Sequence, residues 1–305
     1  YRLGWQKLTI ADYMQKQHAT GLLVIHNGEV KVERYGLGHL PQKPWVSFSV
    51  TKSVVSMLYG AAIKDGFIES LDTPISTYLP VFATGSYAGV TIKNILQMAS
   101  GVAWNEDYAD PNSDIVRLPT EQTAGFRYMN RLPRVAEPGT RFNYNTGETN
   151  IAGVILSEAT GKTLSEYASE KIFLPGGLSN SANWLLDGPD GNEFAGCCIS
   201  ASLRDYGRLG LFALANTKTS STGSLIDNWM QQSIAPSQGY EGYGYFWWLL
   251  GDGIYAAEGV FGQYIVIDTN RDLVVVLQSA WPEAWSDELE AHALAFIQAL
   301  SDYVV

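Results

Sequence analysis

Trp45-Val-Ser-Phe-Ser49-Val-Thr-Lys52-Ser-Val-Val-Ser-Met-Leu-Tyr-Gly-Ala-Ala-Ile63-Lys-Asp-Gly66 passes from a short extended aromatic segment into a helix that is apolar nearly all round. Such a helix is buried, and Gly66 stands where glycine usually ends one. Ser49 and Lys52 lie one turn apart on the same face. An amine within reach of a hydroxyl is what a serine nucleophile needs when no histidine is its base. At the first turn, the positive end of the helix dipole also favours an alkoxide. The alternative is an N-capping Ser with Lys52 reaching out to solvent. With 10 Lys and 24 Ser in 305 residues, chance alone supplies about 0.8 Ser-x-x-Lys matches. Ser49–Lys52 is the only match, so its surroundings must decide.

Working outward, Gly21–His26 and Glu29–Tyr35 flank Asn27-Gly28, a strong hairpin signal. Gly244–Leu250, Gly262–Asp268 and Asp272–Ser279 read as three more strands. An amphipathic helix is expected over Thr9–Ala19, and a closing one over Trp285–Tyr303 with Ser286 as N-cap. The middle reads as helices at 52–64, 92–99, 148–160, 163–172 and 203–216. Gly251-Asp252-Gly253 reads as a hairpin turn. The fold expected is α/β in the α+β sense: an antiparallel sheet of five or more strands flanked by the terminal helices, plus a mostly helical lobe. At 305 residues the chain exceeds the usual size of a single core. Residues 1–46 with 241–305 are assigned to the sheet lobe and 47–240 to the helical lobe of one catalytic unit, with the site at their seam.

Composition narrows the partners. A net charge of -11 without a basic stripe argues against nucleic acid and anionic membranes. No apolar run reaches the roughly 18 residues of a membrane span. A small-molecule substrate is expected, and oligomeric state is left open. A first residue of Tyr1 fits a processed chain, so a periplasmic or secreted location is the expectation, with the cytoplasm as the alternative. Cys197 and Cys198 are adjacent and read as two small unbonded side chains.

Other chemistries find little support. His18, His26, His39 and His292 are the only histidines, there is no Gly-x-Ser-x-Gly, and no His or Cys pair has zinc-ligand spacing. No metal and no cofactor are expected. Glu106, Asp107 and Asp110 form an acidic cluster that reads as solvated loop carboxylates before it reads as a glycosidase pair. Tyr144, in Phe142-Asn-Tyr-Asn-Thr-Gly147 at a loop-to-helix junction, remains as a partner for Ser49 and Lys52. To act as a base its pKa must fall from about 10 toward 7, about 4 kcal/mol of phenolate stabilisation, and a nearby Lys52 ammonium is the candidate source.

With these landmarks in order, the chain resembles the serine β-lactamase-like superfamily, in its class C β-lactamase, DD-peptidase and carboxylesterase group. Ser49-x-x-Lys52 resembles the first motif, Tyr144-Asn-Thr146 the second, and Tyr255-Ala-Ala-Glu258-Gly259-Val-Phe-Gly262-Gln263-Tyr264 the third. Leu96–Gly101, Pro138–Phe142 and Leu203–Gly210 also sit where that group carries similar stretches. Two departures stand out. Thr146 replaces the Asn of Tyr-x-Asn, and Ala257-Glu258-Gly259 replaces the cationic Lys-Thr-Gly. In these, in Glu148 and in the Trp104–Tyr108 loop, the chain is similar to the 6-aminohexanoate-dimer hydrolase and esterase branch.

The resemblance implies a serine hydrolase forming an acyl-enzyme on esters or linear amides, with Ser49, Lys52 and Tyr144 catalytic. It implies an oxyanion held by the backbone N–H of Ser49 and one near Gln263 or Tyr264. Gly259, Gly262, Thr146, Glu258 and Tyr108 are the further substrate contacts expected. The alternatives are a class C-like β-lactamase or DD-peptidase, and a catalytically silent penicillin-recognising binding protein.

Overall fold

Asn27 and Gly28 take φ of 52° and 76°, the pair of left-handed residues that a type I′ turn requires. They join β1 (Ala19–His26) to β2 (Glu29–Tyr35), with His26 opposite Glu29. The other strands come from the far end of the chain: β3 (Trp248–Gly251), β4 (Ile254–Gly259), β5 (Gln263–Asp268) and β6 (Leu273–Ser279). All pairings are antiparallel, in the order β2-β1-β6-β5-β4-β3. The sheet of five or more strands is therefore a sheet of six. The computed structural model describes residues 1–188, 191–219 and 223–303.

The central strands are apolar on both faces because both faces are covered. Leu22, Val24, Val266, Val275 and Leu277 meet helices α1 (Ile10–Lys16) and α5 (Asp287–Tyr303) through Tyr13, Ala293 and Phe296. The Tyr13 and Phe296 rings stack with centroids 4.0 Å apart. Leu23, Ile25, Ile265, Ile267, Val274 and Val276 face the other way, into a core shared with α2 (Val50–Lys64), α3 (Thr146–Thr160) and α4 (Leu203–Lys218). Every residue of α2 from Val50 to Ala62 is buried. Burying a side chain such as Leu58 contributes about 1.5–3 kcal/mol, so α2 is anchored along its length. At Gly60 a Cβ would lie 2.4 Å from the Trp229 ring, which fixes how closely that tryptophan packs on α2.

Several expectations need correction. Residues 244–247 are not strand: Gly244 N–H donates to Trp247 O in a tight turn, and β3 begins at Trp248. The third-motif segment itself supplies a strand, β4, after the expected turn at Gly251-Asp252-Gly253. The stretch expected to be helical supplies two strands, Ile199–Ala201 and Asn183–Trp184, which form a three-stranded sheet with the extended Trp45–Val46. Short helices at Asp114–Arg117, Gln122–Met129 and Trp229–Ser233 were not evident from periodicity. Cys197 and Cys198 are joined in a disulfide between neighbours, with a cis peptide between them, not left as separate thiols. Among the described residues, no helix is long and apolar enough to cross a membrane.

Candidate active site

Phe48 takes a left-handed φ of 47° and turns the chain sharply into α2. Ser49 follows with helical backbone angles and makes no side-chain cap bond. Its Oγ lies 2.8 Å from Lys52 Nζ, which also donates to Gly196 O at 2.8 Å. Lys52 is 1% exposed and forms no ion pair among the described residues. This rules out the capping serine with a lysine turned to solvent. Burial lowers the Lys52 pKa to about 8, opposed by the nearby Glu106 carboxylate.

Tyr144 reaches the same spot from the segment before α3. Asn143 N–H donates to Met98 O at 2.8 Å, and Asn145 accepts from Glu148 N–H at 3.1 Å as the cap of α3. The Tyr144 ring stacks on Trp248 with centroids 5.6 Å apart. Lys52 Nζ stands 5.1 Å from the Tyr144 ring centroid. Burial, with Tyr243 and Glu106 adding to it, holds the Tyr144 phenol well above its ordinary pKa. The expected fall toward 7 is thus reversed: the desolvation that weakens the phenolate also weakens the ammonium meant to stabilise it. Burial thus moves Lys52 toward its neutral form and keeps the Tyr144 phenol protonated.

Glu106 was expected in solvent and is instead drawn into the site. Its carboxylate accepts from Thr146 N–H at 3.0 Å and Tyr108 Oη at 2.9 Å, and from Trp104 Nε1 and Thr146 Oγ1. Four donors hold the carboxylate in place, and it forms no direct ion pair among the described residues. Thr146, at the position of the expected Asn, therefore holds Glu106. Asp107 and Asp110 are ordinary loop carboxylates, accepting from Ala109 N–H and Asn112 N–H at 2.8 Å each.

The third segment approaches Ser49 through the end of β4. A Cβ on Gly259 would lie 2.5 Å from Ser47 O and 3.0 Å from Ser49 N. Only glycine lets these backbones come so close. Among the described residues the N–H groups of Ser49 and Val260 have no acceptor. Gln263, Tyr264 and Gly262 do not line the site. Gln263 is buried and bonded to Trp45 Nε1, Phe261 O and Ser279 O. Tyr264 packs into the core under α5. Gly262 lies against Trp281, 2.4 Å from where its Cβ would be. The motif order suggested these positions, but the turn after β4 places Val260 and Phe261 beside Ser49 and carries Gly262, Gln263 and Tyr264 away from it.

Two cavities open from Ser49, Tyr108 and Val260. One of about 270 Å³ runs past Tyr144, Trp248, Glu258 and Trp285. The other, about 390 Å³, runs past Phe48, Ile115, Leu118, Phe194 and Phe261, with Thr146 on its wall. Among the described residues, no Lys, Arg or His lines either cavity. Burial and Glu290 push the Glu258 carboxyl up to about 8. Trp248, Trp285, Phe261 and Glu106 are site residues that sequence reasoning missed. The one available signal was the position of Glu106 two residues before Tyr108.

A model of the family described as Beta-lactamase matches residues 7–299. The chain belongs to that family. It is 27% identical over 311 residues to the 6-aminohexanoate-dimer hydrolase of Paenarthrobacter ureafaciens, covering 92% of this chain and 78% of that one. It is 28% identical over 159 residues to the lovastatin esterase of Penicillium rubens, covering 44% of this chain and 38% of the relative. A solved structure from Bacillus anthracis, provisionally named a 6-aminohexanoate-dimer hydrolase, superposes with a TM-score of 0.85 at 21% identity, covering 98% of this chain and 83% of that one. The fold is that of β-lactamases and transpeptidases, and the kinship is with hydrolases.

Proposed function

We propose that this member of the family is a serine hydrolase that cleaves esters or linear amides of small molecules through an acyl-enzyme. The observation that carries the reading is the 2.8 Å contact between Ser49 Oγ and a buried, unpaired Lys52 Nζ. Neutral Lys52 takes the Ser49 proton as Oγ bonds to the carbonyl carbon. The N–H groups of Ser49 and Val260 receive the oxyanion, a contribution of about 3 kcal/mol per donor. As the intermediate collapses, Tyr144 gives its phenolic proton to the departing oxygen or nitrogen and regains one from the Lys52 ammonium. Water then attacks the acyl carbon, losing a proton to Lys52, and Ser49 leaves with that proton restored.

The alternative of a β-lactamase or DD-peptidase is disfavoured by the same cavities. Their substrates present a carboxylate, and among the described residues no cationic side chain lines the walls to meet it. Losing such a charge-assisted contact, about 1.5–3 kcal/mol, lowers transition-state binding roughly 10- to 150-fold. The test is a panel of p-nitrophenyl esters, linear amides and nitrocefin, with Ser49→Ala as control. Short esters should exceed nitrocefin in kcat/KM by about 100-fold or more. Nitrocefin turned over as fast as the esters, or ester turnover surviving in Ser49→Ala, overturns the reading.

A further inference from the structure

We propose that the cavity beside Tyr144 receives a leaving group bearing a positively charged amine, recognised by Glu258 between Trp248 and Trp285, while the other cavity holds an apolar acyl chain. This deepens the hydrolase reading above and rests on it. The two cavities are chemically different. The larger is walled by Phe48, Ile115, Leu118, Phe194 and Phe261, which suits a hydrocarbon. The smaller holds the proton donor Tyr144, and the group that receives a proton from Tyr144 is the leaving group. The two halves of the substrate are thereby assigned to their cavities.

On the leaving-group side, two carboxylates line the wall. The Glu106 carboxylate is occupied by Thr146, Trp104 and Tyr108. The Glu258 side chain makes no hydrogen bond or ion pair among the described residues, and the residue lines the cavity. It stands on β4 opposite Tyr264, with Tyr243 and Glu290 as its other titratable neighbours. None of these groups is cationic. Burial, with Glu290 adding to it, pushes the Glu258 pKa up to about 8. A bound ammonium supplies a counter-charge and favours the ionised form. Trp248 and Trp285 flank the same space, and indole faces attract cations, quaternary ammonium above all. The net charge of -11 acts in the same direction at longer range. An anionic leaving group would meet two carboxylates, with no Lys, Arg or His among the described residues lining the wall.

The experiment compares butyrylcholine, its neutral isostere 3,3-dimethylbutyl butyrate, and an anionic butyrate ester of 3-hydroxypropanoate. It is run at pH 8.5, where the permanently charged choline meets an ionised Glu258. The choline ester should exceed the neutral ester in kcat/KM by about tenfold or more, with the anionic ester slowest. Glu258→Gln and Trp285→Ala should each reduce the choline-to-neutral ratio several-fold. Tetramethylammonium should inhibit the wild-type enzyme competitively, a measurement independent of how the variants fold. A wild-type ratio at or below one, or a ratio unchanged in Glu258→Gln, overturns this inference while Ser49-dependent turnover of the neutral ester leaves the hydrolase reading standing. Absence of Ser49-dependent turnover of every ester and linear amide overturns both.

Discussion

Lys52 Nζ stands over the face of the Tyr144 ring, 5.1 Å from its centroid, while its hydrogen bonds go to Ser49 Oγ and Gly196 O. The amine thus touches Ser49 directly and the tyrosine through its ring. On the proposed reading, this division separates a base from an acid. Lys52, poised at about 8, can exist as a free amine at ordinary pH, whereas Tyr144 is kept protonated by its surroundings.

Catalysis should therefore rise with pH. The base form of Lys52 is the deprotonated one, so kcat/KM for a neutral ester should climb through about pH 8 and level off above it. A stopped-flow or pH-stat profile from pH 6 to 10 measures this. A flat profile across that range would show that Lys52 is not the titrating base. Lys52→Ala should lose about 100-fold or more in kcat.

Glu106 should tune that midpoint. Its carboxylate favours the charged form of Lys52. Glu106→Gln removes that charge while retaining an acceptor for Thr146 and Tyr108, so the rising limb should move to lower pH. A limb that stays in place, or moves upward, contradicts the coupling.

Tyr144→Phe should discriminate between leaving groups. A p-nitrophenolate departs without a proton, whereas an amine or alkoxide needs one. The variant should lose about 100-fold on linear amides or alkyl esters, the common magnitude for a lost general acid, and distinctly less on p-nitrophenyl esters. Equal losses on both would assign Tyr144 a structural role.

Gly259→Ala should impair chemistry more than binding. The new Cβ would sit 2.5 Å from Ser47 O and 3.0 Å from Ser49 N, forcing β4 away from the nucleophile and Val260 with it. Misplacing one oxyanion donor costs about 10²–10³ in kcat. A fall in kcat with KM nearly unchanged is expected, and wild-type kcat would remove Val260 from the oxyanion site.

Glu148 offers a stability test away from the chemistry. It is buried in α3, accepts from Tyr87 Oη at 3.1 Å and from Ser100 Oγ, and burial raises its pKa to about 8. The native state thus holds a proton that the unfolded chain releases near 4.5. The resulting stabilisation is complete below about 4.5 and is lost as pH rises through about 8. Glu148→Gln, which cannot ionise, should gain stability relative to wild type between pH 5 and pH 9 in urea denaturation. A difference independent of pH would mean Glu148 is ionised in the native state. Glu148→Ala, which strands two buried hydroxyls, should cost about 1–3 kcal/mol at pH 5.

What was legible in the sequence was what depends on neighbours along the chain. The Asn27-Gly28 turn, the apolar strands at both ends and the all-round apolar character of α2 are local patterns with a local physical cause. The one-turn spacing of Ser49 and Lys52 is likewise fixed by helix geometry. Residues 244–247 misled because aromatic, strand-like side chains there are held in a turn by long-range packing: Tyr245 N–H donates to Ser233 O and Phe246 N–H to Leu96 O.

The sequence by itself determined the sheet, the buried helix and the pair at its start, because periodicity and i, i+3 spacing are properties of the backbone. Only the tertiary structure decided which charges meet at that pair. Glu106 and Tyr108 arrive from a loop, Trp248 and Val260 from the two ends of a hairpin, and Gly196 O from a segment far along the chain. Their effect on Lys52 and Tyr144 comes from excluding water, and desolvation is a property of the packed volume around a group, not of the order of residues.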